Sequence, residues 1–386
     1  MTDLQVAYEL SRLLRGKRLK RGALDFDLPE AKIIIDPATG QPTDVQRRSQ
    51  DPGMKKAYQL IEELMLLANE VVARWFEAKK IATIYRVHAP PDETKLERFA
   101  AMCEVLGIDF DIEATREPKL LAQLLKSFSD HALASVLNSL LLRSMKQATY
   151  DVTNIGHFGL ASKAYLHFTS PIRRYPDLVV HRSVHKVLLG EAIAADNGEM
   201  AEAALSSSQA ERRSMEVERA VVDLYRAVLM REHVGETYEG TATALVGSGV
   251  FVALDAPFVD VLVRFEDLGD DRYELDDNGL RAVAARSGDF VSLGDRMTVT
   301  ITDTSVLRRS VYGRRVRPDG DATLGRRKPM FDKRSTEKRP FDKKKVDRQI
   351  QKRAKHVDRA MSGSGAGGGG GGVKKKGGGG KGKKRR

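Results

Sequence analysis

Several residue types that anchor chemistry unaided are nearly missing from this sequence. Its 386 residues hold one cysteine, Cys103, and one tryptophan, Trp75. A lone cysteine excludes an intramolecular disulfide and any cysteine-rich zinc site, and it fits a reducing compartment. No apolar run approaches the ~18 residues that a membrane span needs. In the opening MTDLQVAYELSRLLRGKRLKRG, charges interrupt the place where a signal peptide keeps its apolar stretch. A soluble, cytoplasmic protein with no membrane partner is expected. There is no HExxH, no Walker loop and no GxSxG. VGSGVF has only the outline of a nucleophile elbow, lies among strand-like residues and lacks Asp and His partners in a suitable arrangement.

Charge is present and unevenly spread. The whole chain carries +12. From Asp321 onward, 23 Lys or Arg face six Asp or Glu, a surplus of 17 that leaves residues 1–320 at −5. A mildly acidic body with a basic arm points to a polyanionic partner. Residues 318–386 mix Lys and Arg with Phe331 and Phe341, then alternate Gly runs with Lys clusters. Such composition cannot bury a core, and disorder is expected there.

Periodicity divides the rest. Leu4, Ala7, Leu10, Leu13 and Leu14 repeat at helical spacing, Ile33–Ile35 form a β-branched run, and Asp36-Pro37-Ala38-Thr39-Gly40 reads as a turn. A long helix is predicted over 54–80, with Leu60, Ile61, Leu64, Leu67, Ala68, Val71 and Val72 on its apolar face. A short strand is expected near 84–87, then helices over 92–106, 118–127 and 131–148, a further helix ending near Leu189, and another over 206–232. From Thr237 to about Val316, runs such as GTATALV, GVFVALD, VDVLVRF and MTVTITD alternate with turns, the pattern of a small β-barrel.

The segment from His157 to Arg182, HFGLASKAYLHFTSPIRRYPDLVVHR, is dense in groups that handle phosphate. Arg173, Arg174 and Arg182 can fork onto phosphate oxygens. Thr169 and Ser170 offer hydroxyls, and Tyr165, Phe168 and Tyr175 offer stacking faces. A helix starting near Pro176 would turn free N–H groups toward an anion. The bland alternative is a buried loop whose arginines satisfy local carboxylates such as Asp177.

The stretch HFTSPIRRYPDL resembles the signature of the ribonuclease II and ribonuclease R family, the RNB exoribonucleases. RGALDFDLPEAKIIID, LIEELMLLANEVVA, YRVHAPPDETK and LLRSMKQATY resemble further blocks of that family in the same order, so the likeness spans roughly residues 4–316. It implies a mixed α/β fold: the C-terminal part of an RNB domain over 1–232, a five-stranded OB-fold RNA-binding barrel over 233–317, and the disordered basic tail. It also implies a magnesium-dependent 3′-to-5′ exoribonuclease that releases nucleoside 5′-monophosphates from single-stranded RNA. Carried over by motif, Arg173 is the catalytic arginine beside the scissile phosphate, where it would neutralise charge on the equatorial oxygens. Arg174, Tyr175 and Arg182 shape the same pocket. Glu63 and Asn69 match polar positions facing the RNA channel, although Glu62 and Glu63 fit a solvated helix face equally well.

The family's metal-binding aspartates lie on an RDFDDA-like segment upstream of every block recognised here, so no metal ligand is assigned. Asp25 and Asp27 alternate on one strand-like face but belong to a different block, and they suit pairing with Arg21 or Lys32; Asp109/Asp111 and Asp276/Asp277 sit in loop-like contexts. In the barrel, Phe251 matches a base-stacking position, with core packing as its alternative. Arg264 stands where a histidine is common, Ser248 where a second aromatic is frequent, and Val261 where glycine is frequent; Arg308 would add charge. The resemblance leaves two expectations open. In one, the chain is a fragment from a truncated or split gene, whose separately encoded N-terminal half completes the metal site and covers apolar surface that the fragment alone exposes. In the other, it is a catalytically inactive RNA-binding or ribosome-associated protein whose tail meets ribosomes or structured RNA.

Overall fold

A computed structural model of the chain describes residues 2–26, 30–48, 51–129, 131, 133–191, 193, 198–276 and 279–317. Asp27, Asp277 and the tail with Phe331 and Phe341 lie outside the described residues. The fold is mixed α/β. Its helices are α1 (Asp3–Arg21), α2 (Pro52–Lys79), α3 (Glu93–Val105), α4 (Pro118–Ser127), α5 (Ala134–Ser144), α6 (Tyr175–Leu188) and α7 (Gly198–Met230). Its strands are β1 (Ala31–Ile35), β2 (Pro42–Arg47), β3 (Tyr85–Val87), β4 (Thr149–Asp151), β5 (Thr237–Val246), β6 (Gly249–Leu254), β7 (Asp260–Arg264), β8 (Tyr273–Leu275), β9 (Arg281–Ala284), β10 (Phe290–Ser292), β11 (Arg296–Ser305) and β12 (Ser310–Val316).

Local chemistry sets the element ends. Thr2 and Gln5 form a reciprocal capping box at the start of α1. Gly22 ends that helix at φ 105°, and a Cβ there would lie 2.4 Å from Lys119 Cα, so only glycine lets α4 approach. The Asp36–Gly40 turn joins β1 to β2 in an antiparallel hairpin. Prolines open α2, α4 and α6, where a missing N–H costs nothing. The cysteine thiol at position 103 is buried, and burial pushes it up to about 12. Among the described residues no helix is long and apolar enough to cross a membrane.

Helix α2 corrects the expectation drawn from periodicity. The side it buries carries Glu63, Leu66, Asn69, Glu70, Ala73 and Phe76, while Ile61, Leu67 and Val71 are exposed. The polar groups are buried because each has a partner. Glu63 receives both Nε and Nη2 of Arg18 from α1, Nε at 3.0 Å, and Glu70 takes Arg21 and Arg74. Counting apolar residues alone selects the opposite face.

Residues 237–316 contain a closed barrel in the order β11-β12-β7-β6-β5, with β8–β10 forming a separate three-stranded sheet. Alternation sends Val250, Val252, Val261, Val263, Val299 and Val311 into the core. Val261, at the position where glycine was the frequent residue, is fully buried there. Leu229 and Met230 at the end of α7 and Val45 of β2 join that core. Further back along the same helix, Ser208 accepts the N–H of Tyr150 in β4, and Glu211 pairs with Arg86 of β3. Thus α7, about 50 Å long at 1.5 Å per residue, ties the β3–β4 region to the barrel.

Removing one member of a buried ion pair strands the other charge in a poor solvent, which costs on the order of 3–5 kcal/mol. Glu63→Ala is expected to destabilise the chain by about that amount in urea unfolding. Glu62→Ala, acting on a half-exposed carboxylate 3.4 Å from the same arginine, should change stability by less than about 1 kcal/mol.

Candidate nucleic-acid interface

The loop from Phe168 to Arg174 is held from three sides. Asn69, fully buried on α2, donates Nδ2–H to the Tyr165 hydroxyl at 3.0 Å and accepts the Phe168 N–H at 2.9 Å. The Phe168 ring stacks on His181 of α6 at 4.1 Å, nearly parallel, while His181 Nε2 bonds the Phe168 carbonyl. Asp177, fully buried in the first turn of α6, accepts the Ser170 N–H at 2.8 Å and the Arg174 guanidinium at 2.7 Å. A carboxylate in that turn also suits the positive end of the helix.

These contacts sort the expected residues. Arg173 is exposed; its Nε–H reaches Ser170 Oγ at 3.3 Å, and it enters no ion pair among the described residues. Tyr175 is 53% exposed, and Arg182 lies two turns further along the same side of α6, also exposed. Ser170 and Thr169 are half-buried beneath them. Arg174 fits the bland alternative instead, since Asp177 holds it. At the α6 N-terminus, where an anion was expected, Asp177 stands in the first turn and no side chain caps the helix. Glu63 and Asn69 do not face a channel: Glu63 is 3% exposed on Arg18, and both amide atoms of Asn69 are bonded inside. Three buried polar atoms at this loop lack partners, Thr169 Oγ1, Arg174 Nε and Asp177 Oδ2.

Behind the loop lies a polar cluster that the sequence did not single out. The Tyr150 hydroxyl and His167 Nδ1 share a hydrogen bond of 2.8 Å, and the Arg86 guanidinium sits 4.7 Å above the Tyr150 ring while Glu211 grips it with both oxygens. Burial first, then the nearby Arg174 and Arg86, push the His167 imidazole down to about 2. Burial and the charges of His88 and Arg86 bring His157 to about 3. Both rings are therefore neutral at physiological pH. Arg86 and Tyr150 could have been suspected from YRVH and QATY, but no spacing rule pairs residues 64 positions apart.

On the barrel, register puts Phe251 opposite Leu262, Leu262 beside Tyr312, and Arg264 opposite Gly249. Phe251, Leu262, Arg264 and Tyr312 thus share the outer face, which separates Phe251 from the core. Arg264 lies over the Tyr312 ring at 4.5 Å and bonds Glu266 at 3.3 Å. Tyr312 supplies an outward aromatic that the sequence reading missed, although alternation along SVYGRRV marks it.

Magnesium is the metal that the family resemblance implies. Among the described residues no group of three or more His, Cys, Asp or Glu could hold a metal ion. Asp25 pairs with Arg15, and Glu63, Glu70 and Asp177 are engaged by arginines. Among the described residues, therefore, the carboxylates do not fit a magnesium site.

The RNB domain family matches residues 1–190. Ribonuclease R of Aquifex aeolicus is 38% identical over 298 residues, covering 77% of this chain and 42% of that protein. Ribonuclease R of Escherichia coli is 36% identical over 319 residues, 80% of this chain and 39% of that one. Among solved structures, apo ribonuclease R of Mycoplasma genitalium superposes with a TM-score of 0.74 at 28% identity, covering 81% of this chain and 49% of that one. The same protein has been solved with ribose-methylated single-stranded RNA, with equal similarity. The chain belongs to the RNB-domain family. Within that family it is a homologue of ribonuclease R across about four fifths of its length, and it spans about two fifths of the curated relatives it matches.

The buried imidazoles carry a pH prediction. In the unfolded chain they titrate near 6.5, whereas folded His167 and His157 stay neutral far below that. Between those values the unfolded state binds more protons, so stability falls as pH drops below about 6.5. The Tm is expected to decrease steadily from pH 7 to pH 5, and His167→Gln should flatten that slope.

Proposed function

We propose that this chain forms the RNA-gripping part of a ribonuclease R-like 3′-to-5′ exoribonuclease working in the cytoplasm. Its parts would be an RNB segment over 1–232, an OB-type barrel over 233–317 and a basic tail over 318–386. The observation that carries this reading is Arg173. It is an exposed guanidinium with no carboxylate partner among the described residues, on a loop that Asn69, His181 and Asp177 hold in place. A preorganised cation of this kind suits a phosphate of single-stranded RNA, with Ser170, Thr169, Tyr175 and Arg182 around it. The outer barrel face would follow the strand through Phe251 and Arg264, and the tail would add affinity for structured RNA or ribosomes without reading sequence.

In this reading the hydrolytic step needs magnesium held by carboxylates from a further polypeptide segment. The closed barrel and the basic composition of residues 318–386 support a second reading, an RNA-binding protein that does not hydrolyse its ligand. The two separate in one assay, a 5′-labelled single-stranded RNA incubated with the purified chain in magnesium or in EDTA. A magnesium-dependent ladder shortening from the 3′ end supports a complete nuclease; binding without cleavage supports the grip alone.

Arg173→Ala removes one charge-assisted phosphate contact, worth about 1.5–3 kcal/mol. RNA affinity measured by anisotropy should fall at least about tenfold. The slope of log K against log salt should lessen by roughly 0.7. Unchanged binding by this variant would overturn the assignment of Arg173.

A further inference from the structure

The β1–β2 hairpin stands in the sequence between α1 and α2, yet one of its faces belongs to the barrel. Val45 of β2 is 1% exposed and sits in the same buried cluster as Val250, Val261, Val299 and Ile301. Its cross-strand partner Ile33, and Ala31 on the same face of β1, pack against that cluster. Among the described residues that precede α7, Val45 alone enters the barrel's buried core. The neighbouring backbone is tied as well. The Phe258 N–H, from the segment between β6 and β7, donates to the Val45 carbonyl at 2.7 Å, and the Arg47 guanidinium lies 4.8 Å from the centre of the Phe258 ring.

This attachment is thin: a small apolar patch, a backbone hydrogen bond and a cation–π contact. Between parts of one chain, a contact of that size leaves relative motion as the default. Its leverage is nevertheless large. The hairpin is carried by α1 and α2, which Arg18–Glu63 and Arg21–Glu70 join to each other. The same helix pair registers the Phe168–Arg174 loop through Asn69. Helix α7 reaches the barrel from a different part of the sequence, by Arg226, Leu229 and Met230. A body held at one place rocks about it; held at two places, it keeps its orientation.

We propose that the β1–β2 hairpin is a strap: docked, it fixes the barrel at one orientation to the α1–α2 pair, and undocked, it leaves the barrel free to rock on the end of α7. The consequence for ligand binding rests on the reading of the Arg173 loop and the barrel as two surfaces for one RNA strand. Two surfaces held at a fixed separation engage one strand at a high effective concentration, and that advantage falls when the separation varies. The hairpin makes no RNA contact in this scheme and acts by positioning alone.

Spin labels at Glu9→Cys on α1 and Leu307→Cys between β11 and β12, both exposed sites, report the separation in the full chain, where Cys103 is buried. Double electron–electron resonance should give one narrow distance distribution. The Val45→Ala/Arg47→Ala double variant should broaden it, and Arg47→Ala alone, which leaves the core intact, should broaden it in part. Val263→Ala, the same truncation made in the barrel core on β7, should leave it narrow. A broad distribution in the parent chain, a narrow one in both hairpin variants, or equal broadening by Val263→Ala each overturns the strap. Anisotropy with oligoadenylates of increasing length then reads the consequence. The double variant should bind short oligonucleotides, which reach one surface, as the parent does, and long ones about tenfold more weakly. Broadening with no loss at any length keeps the strap and sinks the reading of a shared strand.

Discussion

Asp177 has no access to water, and a carboxylate in that position must be met by charge or by N–H groups. It is met by the Ser170 N–H and the Arg174 guanidinium. Because Ser170 and Arg174 bracket Pro171, Ile172 and Arg173, these two bonds fix both ends of a short loop, and the residues between them project outward: Ile172 is 96% exposed. Of two adjacent arginines, the one nearer the buried carboxylate becomes structural and the other stays available. The division of labour in the Arg-Arg pair is decided by where one negative charge is buried.

Asn69 extends the same logic to α2. A buried primary amide is tolerated only when its donor and acceptor are matched, and here the Tyr165 hydroxyl and the Phe168 N–H match them. The loop is thereby registered against a long helix that is itself pinned to α1 by Arg18–Glu63 and Arg21–Glu70. A chain of satisfied buried polar groups runs from α1 through α2 to the loop, and the order of the loop is inherited from it.

Much of this was legible in the sequence, for physical reasons. HFTSPIRRYPDL announced an ordered loop leading into a helix because its prolines restrict the backbone. The barrel announced itself because alternation with β-branched residues has few other uses. The buried face of α2 was not legible, since Glu63, Asn69 and Glu70 look solvated until their partners, up to about a hundred positions away in sequence, are known. For the same reason Glu63 and Asn69 were expected in a channel and lie in the interior. The Tyr150–His167–Arg86 cluster needs three segments brought together by tertiary contacts, whereas alternation along β12 alone marks Tyr312.

Helix α7 meets Arg86 through Glu211 near its middle, and the barrel through Arg226, Leu229 and Met230 at its end. In an α-helix each added residue turns the remainder of the helix by about 100° and advances it about 1.5 Å. Inserting or deleting one residue between Glu211 and Arg226 would swing the barrel about the helix axis and break its shared core. That span of sequence therefore behaves as a gauge of fixed count: substitutions on its exposed side are tolerated, but length is not free to drift. Homologous chains should change length in the connecting loops and hold the separation of those two side chains constant.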